Sequence, residues 1–349
     1  MMADTGLRHT YTFNKILLTQ NQSWYKSWLC LKGTRRIPTS NSFTQFISPS
    51  SPAKNSPMMS EVTPELKTYN GNCHCGAFKF TIKMPEITTV TQCNCSICFK
   101  KGYRWVFPAE GCFEITKGEG TLKEYHFGQR TMAHRFCPTC GSNIQGFRYN
   151  TPVGRDIGIN VNSLQDLDQW SLKVNKYNGL DREPHYVAPK YTGESPSAKF
   201  ENGKLYTGGC HCGAVTIAFK TQAPLPQRHE YIQECNCSIC CRLGITICYP
   251  RRDQVSVSGI SNLTEYSFGQ GYNIFRFCSA CGITVDVEKD MDAVSKFPKT
   301  WESLTPAQRE RWPTIHSINL RCFEGVEWDD ISIYKANTKA IDPQYVVPE

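Results

Sequence analysis

Gln92-Cys-Asn-Cys-Ser-Ile-Cys98 returns 142 residues later as Glu234-Cys-Asn-Cys-Ser-Ile-Cys240. Three further motifs flank it and return with it. Gly71-Asn-Cys-His-Cys-Gly-Ala77 recurs as Gly208-Gly-Cys-His-Cys-Gly-Ala214, Glu124-Tyr-His-Phe-Gly-Gln129 as Glu265-Tyr-Ser-Phe-Gly-Gln270, and Arg135-Phe-Cys-Pro-Thr-Cys-Gly141 as Arg276-Phe-Cys-Ser-Ala-Cys-Gly282. The offsets are 137, 141 and 141 residues, so only the gap between the first two motifs changes. A fixed long period of this kind marks a duplicated domain. The two copies are expected over residues 69–190 and 203–349, joined by a Pro/Gly/Ser-containing linker near 189–203.

Local signals inside each copy favour strands. Ala77-Phe-Lys-Phe-Thr-Ile82 and Ala214-Val-Thr-Ile-Ala-Phe219 are short, β-branched and aromatic, and Val255-Ser-Val-Ser-Gly259 and Ile331-Ser-Ile-Tyr334 read the same way. Residues 290–313 break the pattern. They are polar and helix-compatible, with Thr305-Pro306 placed as an N-cap followed by proline at the first helical position. The expected fold is therefore mostly β: two tandem small zinc-binding domains, with a helical insertion in the second.

The cysteines carry the chemistry. Each copy orders them C-x-C, C-x-C-x-x-C, C-x-x-C: Cys73/Cys75, Cys93/Cys95/Cys98 and Cys137/Cys140, then Cys210/Cys212, Cys235/Cys237/Cys240 and Cys278/Cys281. Disulfides explain this poorly, because the total of 19 is odd and no secretory signal precedes it. A redox C-x-x-C does not explain three clusters recurring together. Zinc suits all-thiolate tetrahedral sites. Seven ligands divide as four plus three. Cys73, Cys75, Cys137 and Cys140 form one closed structural site, and Cys210, Cys212, Cys278 and Cys281 its counterpart. Cys93, Cys95 and Cys98, and likewise Cys235, Cys237 and Cys240, are left with a vacant fourth position, the arrangement of a zinc used for chemistry. About four Zn²⁺ per chain are expected, two per domain.

The competing reading of the trios is a structural zinc completed locally, by His126 or His134 in copy one and by Cys241 or Cys248 in copy two, where Ser267 and Phe275 replace the histidines. Strand alternation points His74 and His211 away from the metal, toward the surface. Cys30, Cys112, Cys241, Cys248 and Cys322 are otherwise read as small apolar residues. Lys100, Lys101, Arg104 and Arg242 follow the trios and read either as a solvated basic face or as an attraction for substrate carboxylates.

With C-H-C-G-A, C-N-C-S-I-C, E-Y-x-F-G, H-R-F-C-P-T-C-G, Ile159-Asn-Val-Asn-Ser-Leu164 and Ile318-Asn-Leu-Arg-Cys-Phe323 in hand, the chain resembles the glutathione-dependent formaldehyde-activating enzyme family, also called the centromere-protein-V-type domain, in two tandem copies. The resemblance implies a β-tent-type fold, a structural zinc on the outer cysteine pairs and a second zinc on the middle trio. It further implies carbon–sulfur lyase chemistry on S-hydroxymethylglutathione, the condensation of glutathione with formaldehyde or its reverse. The small-molecule partners would be the thiol and its aldehyde adduct, with the trio cysteines at the reacting centre. The alternative is a non-catalytic zinc-stabilised binding or scaffold protein.

Charge removes other classes. The net charge of +8 is uneven: residues 1–68 hold eight Lys/Arg against three Asp/Glu, and no acidic residue lies between Asp4 and Glu61. This basic, hydroxyl-rich leader reads as a mitochondrial transit peptide or as an extension from an upstream start, with Met58-Met59-Ser60-Glu61 as a natural beginning. The remainder carries only +3, and fourteen thiolates on four Zn²⁺ would bring it near −3. A nucleic-acid-binding core is not expected. No apolar run approaches the ~18 residues that span a bilayer. A cytoplasmic location is expected, or a mitochondrial one if the leader is an address.

Overall fold

Lys100, Lys101 and Arg242, which follow the two trios, are buried, Lys101 completely, and that fact organises the architecture. In the computed structural model, residues 65–149, 156–181, 185–227, 231–296, 301–302, 304–339 and 344–349 are described, so most of the leader lies outside the described residues. The first copy pairs Lys67–Asn72, Lys79–Met84 and Phe113–Lys117 in a three-stranded antiparallel sheet. A seven-stranded sheet follows in the order Lys173–Tyr177, Thr89–Cys93, Trp105–Val106, Ile157–Asn160, Asn143–Arg148, Met132–Phe136, Lys123–Tyr125. It is antiparallel apart from its first pair. The second copy repeats both sheets. Its three strands are Lys204–Gly209, Thr216–Thr221 and Val255–Ser258, and its seven-stranded sheet ends with Tyr334–Ala336 parallel to Ile232–Cys235.

Alternation explains the small sheet: Phe80 and Ile82 face inward between half-exposed Lys79 and Thr81. They meet Val90, Ile144 and Ile159 of the large sheet in one apolar core. Among the described residues the frame includes the short helices α1 (Ser96–Lys100), α2 (Ser238–Leu243), α3 (Met291–Ser295) and α4 (Pro306–Arg311). The mostly β class and the helical insertion both hold. Thr305 caps α4, with its hydroxyl accepting from the Gln308 N–H while Gln308 reaches back to the Thr305 N–H. One strand expectation is corrected. Of Ile331-Ser-Ile-Tyr334, only Tyr334 joins a strand, because Ile331 and Ile333 pack on the core from irregular chain.

The copies meet face to face about an approximate two-fold axis, and they share a core. Ile97, Tyr103 and Trp105 of copy one pack with Tyr206, Ile217 and Ile283 of copy two. On the axis the backbones at Gly102 and Gly244 touch. A Cβ on Gly102 would lie 2.2 Å from the Gly244 carbonyl oxygen, and one on Gly244 2.2 Å from that of Lys101. Phe136 and Phe277 stand edge to face beside them, 6.4 Å apart, each filling the space that glycine leaves at Gly282 and Gly141.

Candidate metal centre

Two knuckles build each four-cysteine cluster. In copy one, the Gly141 N–H donates to the Cys137 carbonyl at 2.9 Å and the Cys137 N–H to Ser142 at 3.0 Å. Gly141 turns with φ +72°, the left-handed region that glycine reaches without strain. The Phe78 N–H donates to the Cys73 Sγ at 3.2 Å, and Val215 repeats this toward Cys210 at 3.3 Å. The sulphurs of Cys73, Cys75, Cys137 and Cys140 gather within 4.8 Å of one another, as do those of Cys210, Cys212, Cys278 and Cys281. Recorded edges are 3.5–3.6 Å. A tetrahedron of sulphurs ~2.3 Å from a zinc has edges of about 3.8 Å, so the donor sets fit such an ion. The described cysteines are all free rather than disulfide-bonded.

Each trio grows from a strand end running into a helix. Cys93 closes its strand, Cys95 caps α1, and Cys98 lies within α1; Cys235, Cys237 and Cys240 repeat this at α2. Each trio also gathers within 4.8 Å. Among the described residues, no fourth His, Cys, Asp or Glu donor joins either set. The Cys95 N–H donates to the Cys93 Sγ at 3.4 Å and the Trp105 indole to the Cys98 Sγ at 3.4 Å. In copy two the Cys237 N–H serves Cys235 at 3.3 Å, and the Thr338 hydroxyl lies 2.8 Å from the same sulphur. Hydrogen bonds from Cys237 and Cys240 hold the Cys235 thiol down to about 3, whereas those from Cys93 and Cys95 hold Cys98 well above its ordinary value. A cleft of about 1160 Å³ opens beside the second trio, lined by Cys237, Ser238, His74, Tyr266, Phe268 and Tyr345 among others.

Residues 68–179 and 205–297, more than half of the chain, match the family described as glutathione-dependent formaldehyde-activating enzyme. The chain belongs to that family. A solved structure of a Rhodobacter sphaeroides protein is 27% identical, over 30% of this chain and 99% of its own, with a TM-score of 0.28. Both segments of this formaldehyde-activating-type chain contain a full set of seven cysteines.

Several other expectations change. His74 and His211 are not surface residues: they are 1% and 2% exposed, held inside the seam between the copies. Burial lowers them to about 4 and about 3, so both rings are neutral near pH 7. His126 pairs with Glu124, and His134 is enclosed by Tyr103 and Phe127, so neither completes the first trio. Cys241 and Cys248 stay outside the second. Lys100 and Arg242 form neither a solvated face nor a lure for carboxylates. The Lys100 ammonium donates to the Gly209 and Cys322 carbonyls and to Glu324. Arg242 donates to Asn72 through both its backbone and side-chain oxygens. Lys101 donates to Asn143 at 2.6 Å, its pKa lowered to about 8 by burial.

The sequence reading also missed a set of residues that the seam brings together. Ser96, Tyr125 and Tyr186 surround His211, and Ser238, Tyr266 and Tyr345 surround His74. A signal was present: Tyr186-Val-Ala-Pro189 recurs as Tyr345-Val-Val-Pro348, a fifth repeated motif.

Proposed function

We propose that the chain is a zinc-dependent carbon–sulfur lyase acting on S-hydroxymethylglutathione, forming it from glutathione and formaldehyde or releasing them from it. Membership of the family supports the substrate pair. The single observation that carries the chemistry is a trio of sulphurs, twice repeated, that no fourth protein donor closes among the described residues. Zinc, when bound there, supplies a seat for a thiol held as thiolate. Cys93, Cys95 and Cys98, and their counterparts Cys235, Cys237 and Cys240, hold the ion. The Trp105 N–H and the backbone N–H of Cys95 offset part of the negative charge of three thiolates. Tyr266, Phe268 and Tyr345 wall the second site with rings and limit water around the departing carbon. The four-cysteine clusters are assigned the structural zincs, for about four ions per chain.

Because the adduct also forms without a catalyst, the test is an acceleration. Exchange NMR between glutathione and its hydroxymethyl adduct is run with the zinc-loaded chain and with a chain carrying Cys95→Ser and Cys237→Ser together. Exchange faster than in buffer, lost in the double variant, is the expected result. Exchange at the buffer rate with all metal in place would overturn the lyase reading.

A further inference from the structure

The two histidines that follow Cys73 and Cys210 are flanked by sulphurs of their own half, yet their rings serve the other. The His211 Nε2 lies 2.9 Å from the Ser96 Oγ, inside the first trio's C-N-C-S-I-C turn, and its Nδ1 lies 2.8 Å from the Tyr125 hydroxyl. His74 repeats the arrangement in reverse, 3.0 Å from the Ser238 Oγ and 2.8 Å from the Tyr266 hydroxyl. Both rings are clamped by a chain segment beyond the residues that match the family. Tyr186 stacks on His211 at 4.2 Å and donates to its carbonyl at 3.0 Å, and Tyr345 stacks on His74 at 4.5 Å and donates to its carbonyl at 2.6 Å. The following prolines lie where glycine leaves room: a Cβ on Gly213 would meet Pro189 at 2.9 Å, and one on Gly76 would meet the Pro348 carbonyl at 2.5 Å.

Each chain of hydrogen bonds can run in either of two directions, set by the tautomer of its histidine. Among the described residues the phenol of Tyr125 has one recorded partner, the Nδ1 of His211. In one tautomer the phenol proton goes to Nδ1. In that tautomer the ring carries its proton on Nε2, which donates to the Ser96 Oγ. The serine oxygen then accepts, and its own proton is left to give. Tyr266, His74 and Ser238 can follow the same order, and Ser238 lines the cleft together with Cys237.

We propose that each trio site is completed by the opposite half: His211 positions the Ser96 hydroxyl, and His74 the Ser238 hydroxyl, to donate a hydrogen bond to the hydroxymethyl oxygen of a hemithioacetal bound at the neighbouring trio. This rests on the lyase reading for the identity of the ligand, but not for the crossing. The histidines are positioning residues, and the serines touch the substrate. The arrangement makes the duplication functional, because a half without its partner lacks the group that orients its serine.

The test has two arms on the full chain. In the first, imidazole ¹⁵N spectra of the zinc-loaded chain are recorded with and without Ser96→Ala and Ser238→Ala. Both histidines should carry the proton on Nε2. Ser96→Ala should shift the Nε2–H signal of His211, and Ser238→Ala that of His74. Protonation on Nδ1, or a shift confined to the histidine in the same half as the altered serine, overturns the crossing whatever the chain catalyses. In the second arm, Cys237→Ser leaves only the first trio complete. In that background Ser96→Ala should slow adduct exchange about 100-fold, the scale of losing one oxygen-directed donor, with glutathione affinity changed less than three-fold. His211→Asn should slow exchange at least ten-fold more than His74→Asn, and adding it to Ser96→Ala should cost no further loss. Additive losses, or a larger effect from His74→Asn, overturn the positioning role. Exchange at the buffer rate in the unaltered chain, with the expected ¹⁵N shifts intact, would instead reject the lyase reading alone.

Discussion

Gly179→Ala is the sharpest single perturbation of the first trio. Gly179 follows the strand Lys173–Tyr177, and a Cβ built on it would lie 2.4 Å from the Cys93 Sγ and 3.1 Å from the Cys95 Cβ. Ordinary contact begins near 3.4 Å, so the sulphur must retreat by about 1 Å. Metal–ligand distances tolerate about 0.2 Å, so the displacement exceeds what the site accepts several-fold. The backbone gives little way, because the Asn94 side-chain oxygen accepts from both the Gly179 and Leu180 N–H groups. Overpacking alone costs about 1–3 kcal/mol. The expected result is the loss of one zinc ion of about four, measured by elemental analysis of protein expressed with excess zinc, while the four-cysteine clusters keep theirs. The counterpart in copy two is Thr338, whose hydroxyl reaches the Cys235 Sγ. Thr338→Gly should therefore retain full metal and only weaken the second trio. A Gly179→Ala chain with unchanged zinc would refute the reasoning, because the Cys93 sulphur would then not be where the ion is held.

Other substitutions test the proposed division between structural and chemical cysteines. Cys137→Ser should unfold the chain at ambient temperature, since a structural zinc supplies about 10–16 kcal/mol of apparent binding energy to folding; Cys95→Ser should remove one zinc and leave the circular dichroism nearly unchanged. Equal destabilisation by the two would contradict the division. Phe277→Ala empties a fully buried ring at the seam and should cost about 3–5 kcal/mol. Urea unfolding should stay a single transition in both proteins, because the core is shared; two separate transitions in the unaltered chain would show independent halves. His134 is held down to about 3 by burial, from an ordinary 6.5. The unfolded chain takes up this proton below about 6.5 and the folded chain does not, so the stability tied to the neutral ring is complete above 6.5 and is lost as pH falls toward 3. His134→Phe, which places the Phe275 ring type in copy one, should narrow the stability difference between pH 7 and pH 5 by about 2 kcal/mol. Metal loss in acid is common to both proteins and cancels. A difference independent of pH would sink the prediction.

The four-plus-three division of the sulphurs was legible because ligand spacing is local: a C-x-C and a C-x-x-C each fix two donors within one turn of chain. The insertion was legible for the same reason, since Thr305, Pro306 and Gln308 write a helix start in four residues. What escaped was everything decided across the seam. His74 looked like an outward residue between ligands because period-two alternation describes one strand in water, not one facing Ser238 from 164 residues away. Lys100 looked solvated because the carbonyls that receive it belong to Gly209 and Cys322, 109 and 222 positions on.

Those distant partners also show that the halves have diverged as a matched pair. At the position where copy one has Asn72, copy two has Gly209; where copy one has Lys100, copy two has Arg242. Each cation meets the other half's variant. The Arg242 fork spreads over two oxygens of Asn72, at 3.0 Å each. The Lys100 ammonium, a point charge with three donors, finds one carbonyl at Gly209, a second at Cys322 and a carboxylate at Glu324. Arg242→Lys would break the two-pronged contact and leave the Asn72 side-chain oxygen to Gln165 alone, at a cost of about 1 kcal/mol, and Lys100→Arg would crowd a site whose acceptors surround a single nitrogen. A chain made of two first halves would join Lys100 to Asn72 and lose both arrangements. The second copy is thus no spare of the first, and its differences are the complement of the surface it covers.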